Sequence, residues 1–411
     1  MADAAALHRA LVDGLVARGV ITDARVEAAF RAVPRHLFLP GVAPEEVYQD
    51  RVVVTKRIDG EAVSSSSQPE IMAIMLQQLE VAPGHRVLEI GAGTGYNAAL
   101  LAHLAGERGE VVTLDVDADI VDGARAHLAT AGFARVRVVR ADGGLGFAEG
   151  APWDRIILTV GAWDVAPAWR EQLRPGGRLV LPLALGGGQR AVAFTRDEGH
   201  LESLSLRDCM FMPLRGALAG PRDRVRLGSD PTLELFSMQP ETIDAAALRA
   251  RLDGAADDVT TGVEVTLKDL YGGVIQWLAV HQPGFAWLVA RGQGFETAPV
   301  PELYLRPGEF RTTAGLVDGA GACFLTRPPL PSEATPFVLG VRGYGESRAL
   351  VARTIETVTR WDARGRPATA GMRVRAYPMD APPPASDHGI VLARRWHRYL
   401  LDWPAQSHTS R

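Results

Sequence analysis

The sequence predicts an α/β fold: a doubly wound parallel sheet in its first half, followed by a C-terminal α+β domain. Two observations carry this reading. Between Arg86 and Asp115 an apolar strand, three glycines at alternate positions, an Ala/Leu-rich helix and a second apolar strand follow one another without a break. Strands and helices then keep alternating to about residue 213, the pattern of a parallel sheet with helices on both faces.

In chain order, residues 5–18 place Leu7, Leu11, Leu15 and Val16 on one helical face. Thr22 or Asp23 can cap a second helix carrying Val26, Ala29 and Phe30, which Pro34 ends. His36 follows; it is read as a packed or capping histidine rather than a base. Residues 51–63 form a hairpin, with Val52, Val53 and Val54 leading to an Asp59-Gly60 turn. Four serines, Ser64 to Ser67, run into Gln68-Pro69 and a helix with Ile71, Met72, Met75 and Leu79 on one side. Pro69 suits a first helical turn. By composition the serine run is a linker; by position it is a polar loop that caps this helix and lines a site.

The strand Arg86 to Ile90 runs into Gly91, Gly93 and Gly95, and a helix spans Asn97 to Leu104. Glycine lets the backbone turn tightly and approach a ligand, and the helix N-terminus offers free N–H groups. Twenty residues past Gly95, Asp115 closes the apolar run Val111 to Leu114. An acid there can hold the ribose hydroxyls of a nucleoside. The dinucleotide pattern G-x-G-x-x-G would need glycine where Tyr96 stands, which disfavours a nicotinamide dehydrogenase. G-x-G-x-G preceded by Glu89 resembles motif I of the class I methyltransferases, which bind S-adenosylmethionine.

The alternation continues with a helix from Asp117 to Ala131 and a strand from Val136 to Val139 that leads to Asp142-Gly143. A strand from Arg155 to Val160, a helix from Pro167 to Leu173 and a strand from Arg178 to Leu183 come next. Two further runs, Arg190 to Arg196 and His200 to Pro213, are joined by Asp197-Glu-Gly199 and make a terminal hairpin. Gly91 to Gly95, Asp115 and Asp142 all fall at the carboxyl ends of strands, where such sheets bind ligands. The boundary is placed near 220, dividing the chain into a helical cap segment (1–60), a cofactor-binding domain (61–219) and an accessory, substrate-binding domain (220–411). The last holds five of the eight tryptophans, read as core, with helices expected at Asp244 to Leu252 and Arg348 to Asp362 and a loop at Pro378 to Pro384.

The totals exclude several classes. At 411 residues two domains are expected. A net charge of −4 without a basic run argues against nucleic acid as partner. Cys209 and Cys323 are far apart and outside any metal-ligand spacing, so neither a zinc site nor a disulfide framework is expected, and a reducing cytoplasm fits. The N-terminus lacks a signal-peptide pattern and no 18-residue apolar stretch occurs, so neither export nor membrane insertion is expected. The oligomeric state is expected to be monomeric.

The first half resembles the protein-L-isoaspartate O-methyltransferases through Val33-Pro-Arg-His-Leu-Phe-Leu-Pro40, Tyr48-x-Asp50, Ser67-Gln68-Pro69, Val87 to Tyr96, Ala141-Asp-Gly143, Pro175 to Pro182 and Met212-Pro-Leu214. The resemblance implies a Rossmann-like class I methyltransferase fold, with S-adenosylmethionine as cofactor and S-adenosylhomocysteine as its product. It implies that Ser67 is the active serine contacting a substrate carboxylate, with Ser65 and Ser66 beside it. Ser66, Gln68, Glu89, Gly91, Gly93, Gly95, Tyr96, Asp115, Val116, Asp142 and Gly143 match cofactor-contacting positions. Departures are the longer segment between Asp50 and Ser67, the Ser65-Ser66-Ser67 sequence itself, Arg215 and the C-terminal domain, which the repair enzymes are expected to lack. They resemble a branch acting on ribosomally made, cyclised peptides (lanthipeptide, graspetide or lasso). The leading expectation is therefore an Asp carboxyl methyltransferase of a modified precursor peptide, giving an ester that closes to aspartimide and can open to isoaspartate. The alternatives are isoaspartate repair in damaged proteins and a non-catalytic peptide-binding protein.

Overall fold

The computed structural model describes residues 3–404, apart from 222, 229–232, 293–299, 307–309, 320, 333, 382 and 384–388. Helices α1 (Ala4–Ala17), α2 (Ala24–Ala32) and the short α3 (Pro44–Val47) precede the hairpin of β1 (Val53–Ile58) and β2 (Glu61–Ser66). Asp23 caps α2 by accepting from the N–H groups of Arg25 and Val26. Asp59 and Gly60 both take positive φ, 50° and 80°, which gives the tight turn that hairpins favour. The serine run is not a loop. Ser64 to Ser66 are the end of β2, with Ser66 opposite Val53 and Ser65 opposite Val54, because Val52 to Val54 supply a β-branched partner strand.

Next come α4 (Pro69–Leu79), β3 (Arg86–Ile90), α5 (Tyr96–Ala105), β4 (Glu110–Asp115), α6 (Ala118–Thr130) and β5 (Arg137–Arg140), followed by β6 (Trp153–Leu158), α7 (Pro167–Gln172), β7 (Leu173–Ala184), β8 (Gln189–Arg196) and β9 (Leu201–Cys209). Strands β5, β4, β3, β6 and β7 are parallel in that spatial order, and β8 and β9 continue antiparallel. Successive strand residues feed opposite faces. Val87 and Val111 join the apolar cluster under α1, α2, α4, α5 and α6, while Leu88 and Val112 join the cluster shared with α7. The chain leaves β3 toward β4 on one side and meets β6 on the other, so a crevice opens at the carboxyl end of β3.

A second, wholly antiparallel sheet follows. It contains β10 (Arg224–Arg226), β11 (Leu233–Ser237), β12 (Ala256–Val265), β13 (Phe285–Arg291), β14 (Tyr304–Arg306), β15 (Phe310–Val317), β16 (Gly321–Thr326) and β17 (Phe337–Gly345). Helix α8 (Ala245–Leu252) covers one face; the other lies under α10 (Ile275–His281), which α9 (Leu267–Asp269) and a π turn precede, and α11 (Arg348–Ala363). The helices expected at 244–252 and 348–362 are thus present.

The expected division into 1–60, 61–219 and 220–411 differs from the structure in two places. A cut at residue 60 falls inside the β1–β2 hairpin. More consequentially, 220–411 is not one unit: β18 (Arg373–Pro378) pairs with β9, β20 (His397–Asp402) with β18, and β19 (Ile390–Ala393) with β20. The chain returns to complete a ten-stranded first sheet. Tyr399 fastens it by donating to buried Asp164 at 2.5 Å and accepting from the N–H of Val165 at 2.8 Å. Pro378 ends β18, whereas Pro382 and Pro384 lie outside the described residues. Among the described residues no helix is long and apolar enough to cross a membrane, and no cluster of three metal-ligating side chains occurs.

Candidate active site

A cleft of about 730 Å³ opens at the crevice beyond β3. One wall is the glycine turn, where Gly91, Gly93 and Gly95 have φ of 102°, 50° and 86°. A side chain at Gly91 would meet Thr159 Oγ1 at 2.6 Å, and one at Gly93 would meet the Ser65 carbonyl at 3.3 Å. The turn is therefore bare backbone held against both the next strand and β2, with the N-terminus of α5 behind it. Asp115 ends β4 in the same cleft and accepts from the N–H groups of Gly93 and Asp117, each at 3.3 Å. Burial pushes its carboxyl above the usual range.

The facing wall is β2. Because side chains alternate along a strand, Ser64 and Ser66 are buried while Ser65 and Ser67 are half-buried. The Ser66 hydroxyl accepts from Arg35 at 3.3 Å. The Ser67 hydroxyl makes no hydrogen bond among the described residues and borders the cleft. Its position is fixed through its carbonyl, which accepts from Arg35 Nη2 at 3.0 Å.

Of the residues expected to hold cofactor, Ser66, Gln68, Gly91, Gly93, Tyr96, Asp115, Val116 and Gly143 border the cleft, whereas Glu89, Gly95 and Asp142 do not. Gly95 caps α5, where a side chain would strike Leu128 and the Ala124 carbonyl. Asp142 is occupied: Oδ1 accepts from Gly144 at 3.0 Å and Oδ2 from Ala217 at 2.6 Å. The segment after β9 thus occupies a carboxylate that the resemblance counts among the cofactor contacts. Glu89 is fully enclosed behind the turn, accepting from Asn97 at 2.7 Å and Thr113 at 2.5 Å. It sets Asn97, which does border the cleft. His36, as expected, is a packing residue, its Nδ1 lying 2.5 Å from the Tyr48 hydroxyl.

Burial raises the Glu89 carboxyl from its ordinary 4.5 to about 7. Between those values the native state holds more proton than the unfolded chain, so stability falls as pH rises through the window and is fully present only below it. The shift corresponds to about 3 kcal/mol. Glu89→Gln removes the charge, keeps an acceptor for the Asn97 amide and can donate its own amide to the Thr113 hydroxyl, which then accepts. Its denaturation midpoint is expected to lose this fall between pH 4.5 and 7 relative to the parent. Parallel pH profiles for the two proteins would contradict that.

Several residues at this cleft had no recognised signal in the sequence. Lys56 of β1 donates to Asp117 at 2.9 Å and Asp119 at 2.8 Å, and Arg215 grips Asp117 through both nitrogens at 3.3 and 2.9 Å. This ion-paired strap joins the hairpin, the start of α6 and the segment after β9 beside Asp115. At the hairpin tip Glu61 accepts from Arg224 at 2.9 Å, so the second sheet holds the flap as well. Arg291, from β13, also borders the cleft.

The glycine cradle, the Asp115 carboxylate and a serine hydroxyl without a hydrogen bond among the described residues fit S-adenosylmethionine on one wall and an acyl group on the other, whereas the Asp142 carboxylate is already taken. A family model described as protein-L-isoaspartate(D-aspartate) O-methyltransferase matches residues 6–219. The protein-L-isoaspartate O-methyltransferase of Methanoculleus marisnigri is 42% identical over 200 residues, 49% of this chain and 87% of its own length. That of Methanococcoides burtonii is 38% identical over 50% of this chain and 98% of its own. A solved structure bearing the same protein name aligns with 90% of this chain and 96% of its own at 24% identity and a TM-score of 0.50, a likeness of fold. That alignment runs well past residue 219, so this one chain of that name has a counterpart of similar fold to the C-terminal part. The two relatives above, matched over 87% and 98% of their own length by about half of this chain, lack one as expected.

Proposed function

Since the chain belongs to the protein-L-isoaspartate(D-aspartate) O-methyltransferase family, we propose that it transfers the methyl group of S-adenosylmethionine to the carboxylate of an isoaspartyl residue in a peptide or protein. Its fold is the class I methyltransferase plan expected from the sequence. The observation that carries the reading is the opposition, across one cleft, of the bare glycine turn with Asp115 and the unpartnered hydroxyl of Ser67.

A carboxylate of pKa about 4 is already ionised at neutral pH, so no general base has to be found. The cofactor, when bound, supplies an activated methyl group. The protein's task is alignment, which can contribute roughly 7–11 kcal/mol in favourable cases. In this reading Ser67 donates to one carboxylate oxygen and leaves the other aimed at the methyl. Ser65, on the same side of β2, offers a second hydroxyl. Asp115 takes the ribose hydroxyls, the turn from Gly91 to Gly95 accepts the methionine portion, and Val116 and Gly143 flank the base. Glu89 acts through Asn97.

The measurement is methyl transfer from labelled cofactor to a synthetic isoaspartyl peptide, with an aspartyl peptide alongside. Transfer to neither would refute the proposal. Ser67→Ala is expected to lower kcat/KM by roughly 10- to 100-fold, the scale of one hydrogen bond to a charged group, while calorimetric affinity for S-adenosylhomocysteine stays unchanged. Unaltered turnover would remove Ser67 from the role.

The family match supports isoaspartate more than the reading that led from the sequence, Asp methylation in a cyclised ribosomal peptide. That second reading draws support from the sheet beyond residue 219, which brings Arg291 to the cleft. It requires mass spectra of a cyclised precursor to show gain of one methylene and then loss of methanol.

A further inference from the structure

Five charged side chains border the cleft: Glu70, Asp115, Asp208, Arg215 and Arg291. Four are committed elsewhere. Glu70 accepts from Arg18 at 3.1 Å, Asp115 from two backbone N–H groups, Asp208 lies 3.0 Å from Arg190 Nε, and Arg215 holds Asp117. Arg291 is different. It donates no hydrogen bond among the described residues, its side chain is 52% exposed, and its Nε stands 3.8 Å from Glu234 Oε2.

Glu234 cannot neutralise it alone. That carboxylate is 6% exposed and also serves Arg224 at 3.3 Å and Arg226 at 3.8 Å. Arg224 and Arg226 share Glu61 besides. Three guanidinium groups thus divide two carboxylates, and the one facing the cleft is the least satisfied. The Phe310 ring lies 5.8 Å behind its guanidinium carbon, which limits the directions it can point. The same cleft exposes Val52 and Met210, 51% and 89% accessible, so the part beyond Ser67 combines apolar surface with one surplus cation.

We propose that Arg291 is a specificity residue that binds a second carboxylate of the peptide, distinct from the one being methylated. This rests on the peptide carboxyl methyltransferase reading above. The guanidinium fork is suited to a carboxylate, and the acceptor acid already has the serine wall. The second acid has two sources, an Asp or Glu side chain near the acceptor or the peptide's own C-terminal carboxylate. Being spared by the reaction, it would anchor ester and acid alike, so the contact reads out in KM for the peptide rather than in kcat.

The test uses four synthetic isoaspartyl peptides, with Asp or Asn two residues from the acceptor and with a free or an amidated C-terminus. The parent protein is expected to show a KM about tenfold lower for a peptide with the second acid than for the Asn, amidated one, the scale of one charge-assisted contact. Which of the two acids confers it identifies the source. Arg291→Gln is expected to bring all four to the higher KM with kcat, S-adenosylhomocysteine affinity and melting temperature unchanged, and Arg291→Lys to restore part of the difference. Equal KM values for the parent protein, or a preference that survives Arg291→Gln, overturn the proposal while leaving the methyltransferase reading intact. Failure of the parent protein to methylate any of the four overturns both.

Discussion

Arg35→Ala is expected to destabilise the protein by about 3–6 kcal/mol and to reduce methyl transfer by roughly 100-fold or more. The side chain is completely enclosed. Its Nη1 donates to the carbonyls of Val47 at 2.7 Å and Gln49 at 3.3 Å. Its Nη2 reaches the carbonyls of Arg51 at 3.2 Å and Ser67 at 3.0 Å, with the Ser66 hydroxyl at 3.3 Å. One guanidinium therefore joins the loop after α3 to the end of the serine strand, and burial depresses its own pKa. Truncation orphans several enclosed carbonyls at about 1–3 kcal/mol each and frees the one backbone contact that places Ser67. A shift of about 1 Å there is enough for a hundredfold loss. Arg35→Lys keeps the charge but not the fork, and should fall between. Chemical denaturation and turnover, read together, check this; a soluble Arg35→Ala protein within a few-fold of the parent rate would disprove it.

Ending the chain at residue 372 is expected to give insoluble protein with no measurable affinity for S-adenosylhomocysteine. The cut removes β18, β19 and β20, and with them Val374, Ala376, Tyr399 and Leu401 from the cluster that also contains Leu88, Ile90 and Leu114 of the cofactor strands. Each is enclosed, and a large apolar side chain contributes about 1.5–3 kcal/mol by burial. Asp164 would lose the Tyr399 hydroxyl and the Trp396 N–H, at 2.5 and 2.8 Å. An unpaired buried charge costs a further 3–5 kcal/mol or so. For the three large side chains and that charge the loss is about 8–14 kcal/mol, as large as a typical net stability of about 5–15 kcal/mol. Removing the whole of 220–411 takes these three strands with it, so that cut should stop turnover and cofactor binding together. Soluble yield and calorimetry decide it, and a soluble, cofactor-binding truncation would refute the account.

The parallel half of the first sheet was legible because each of its signals is local. The alternation of apolar strands with amphipathic helices, the glycines after Ile90 and the acid after Leu114 all act within thirty residues or so. The serine run was not legible as strand because its composition is that of a loop, and its extended form comes from Val53 and Val54, which lie opposite Ser66 and Ser65 across the hairpin. Asp142 matched a motif, but the motif could not reveal that Ala217 occupies its carboxylate. Arg35 lies in the segment Val33 to Pro40 with no sign of its role, since nothing in a sequence marks a side chain that satisfies carbonyls twelve to thirty-two residues away. Arg291 and the return of β18 to β20 depend on pairings between distant segments, for which periodicity carries no information.

That return has a consequence for how the protein comes into being. Tyr399 and Val165 bond across 234 residues, and the whole second sheet is made between them. On the ribosome, the seven strands β3 to β9 emerge with the β9 edge of their sheet still unpaired and Asp164 without its partners. An open edge of that kind invites wrong pairing. The inserted sheet, whose strand pairings all lie within 224–345, can fold in the interval and carry the two ends of its span toward one another, shortening the search that closes so long a loop. Translation thus finishes the cofactor unit last, although its cradle is among the first parts made.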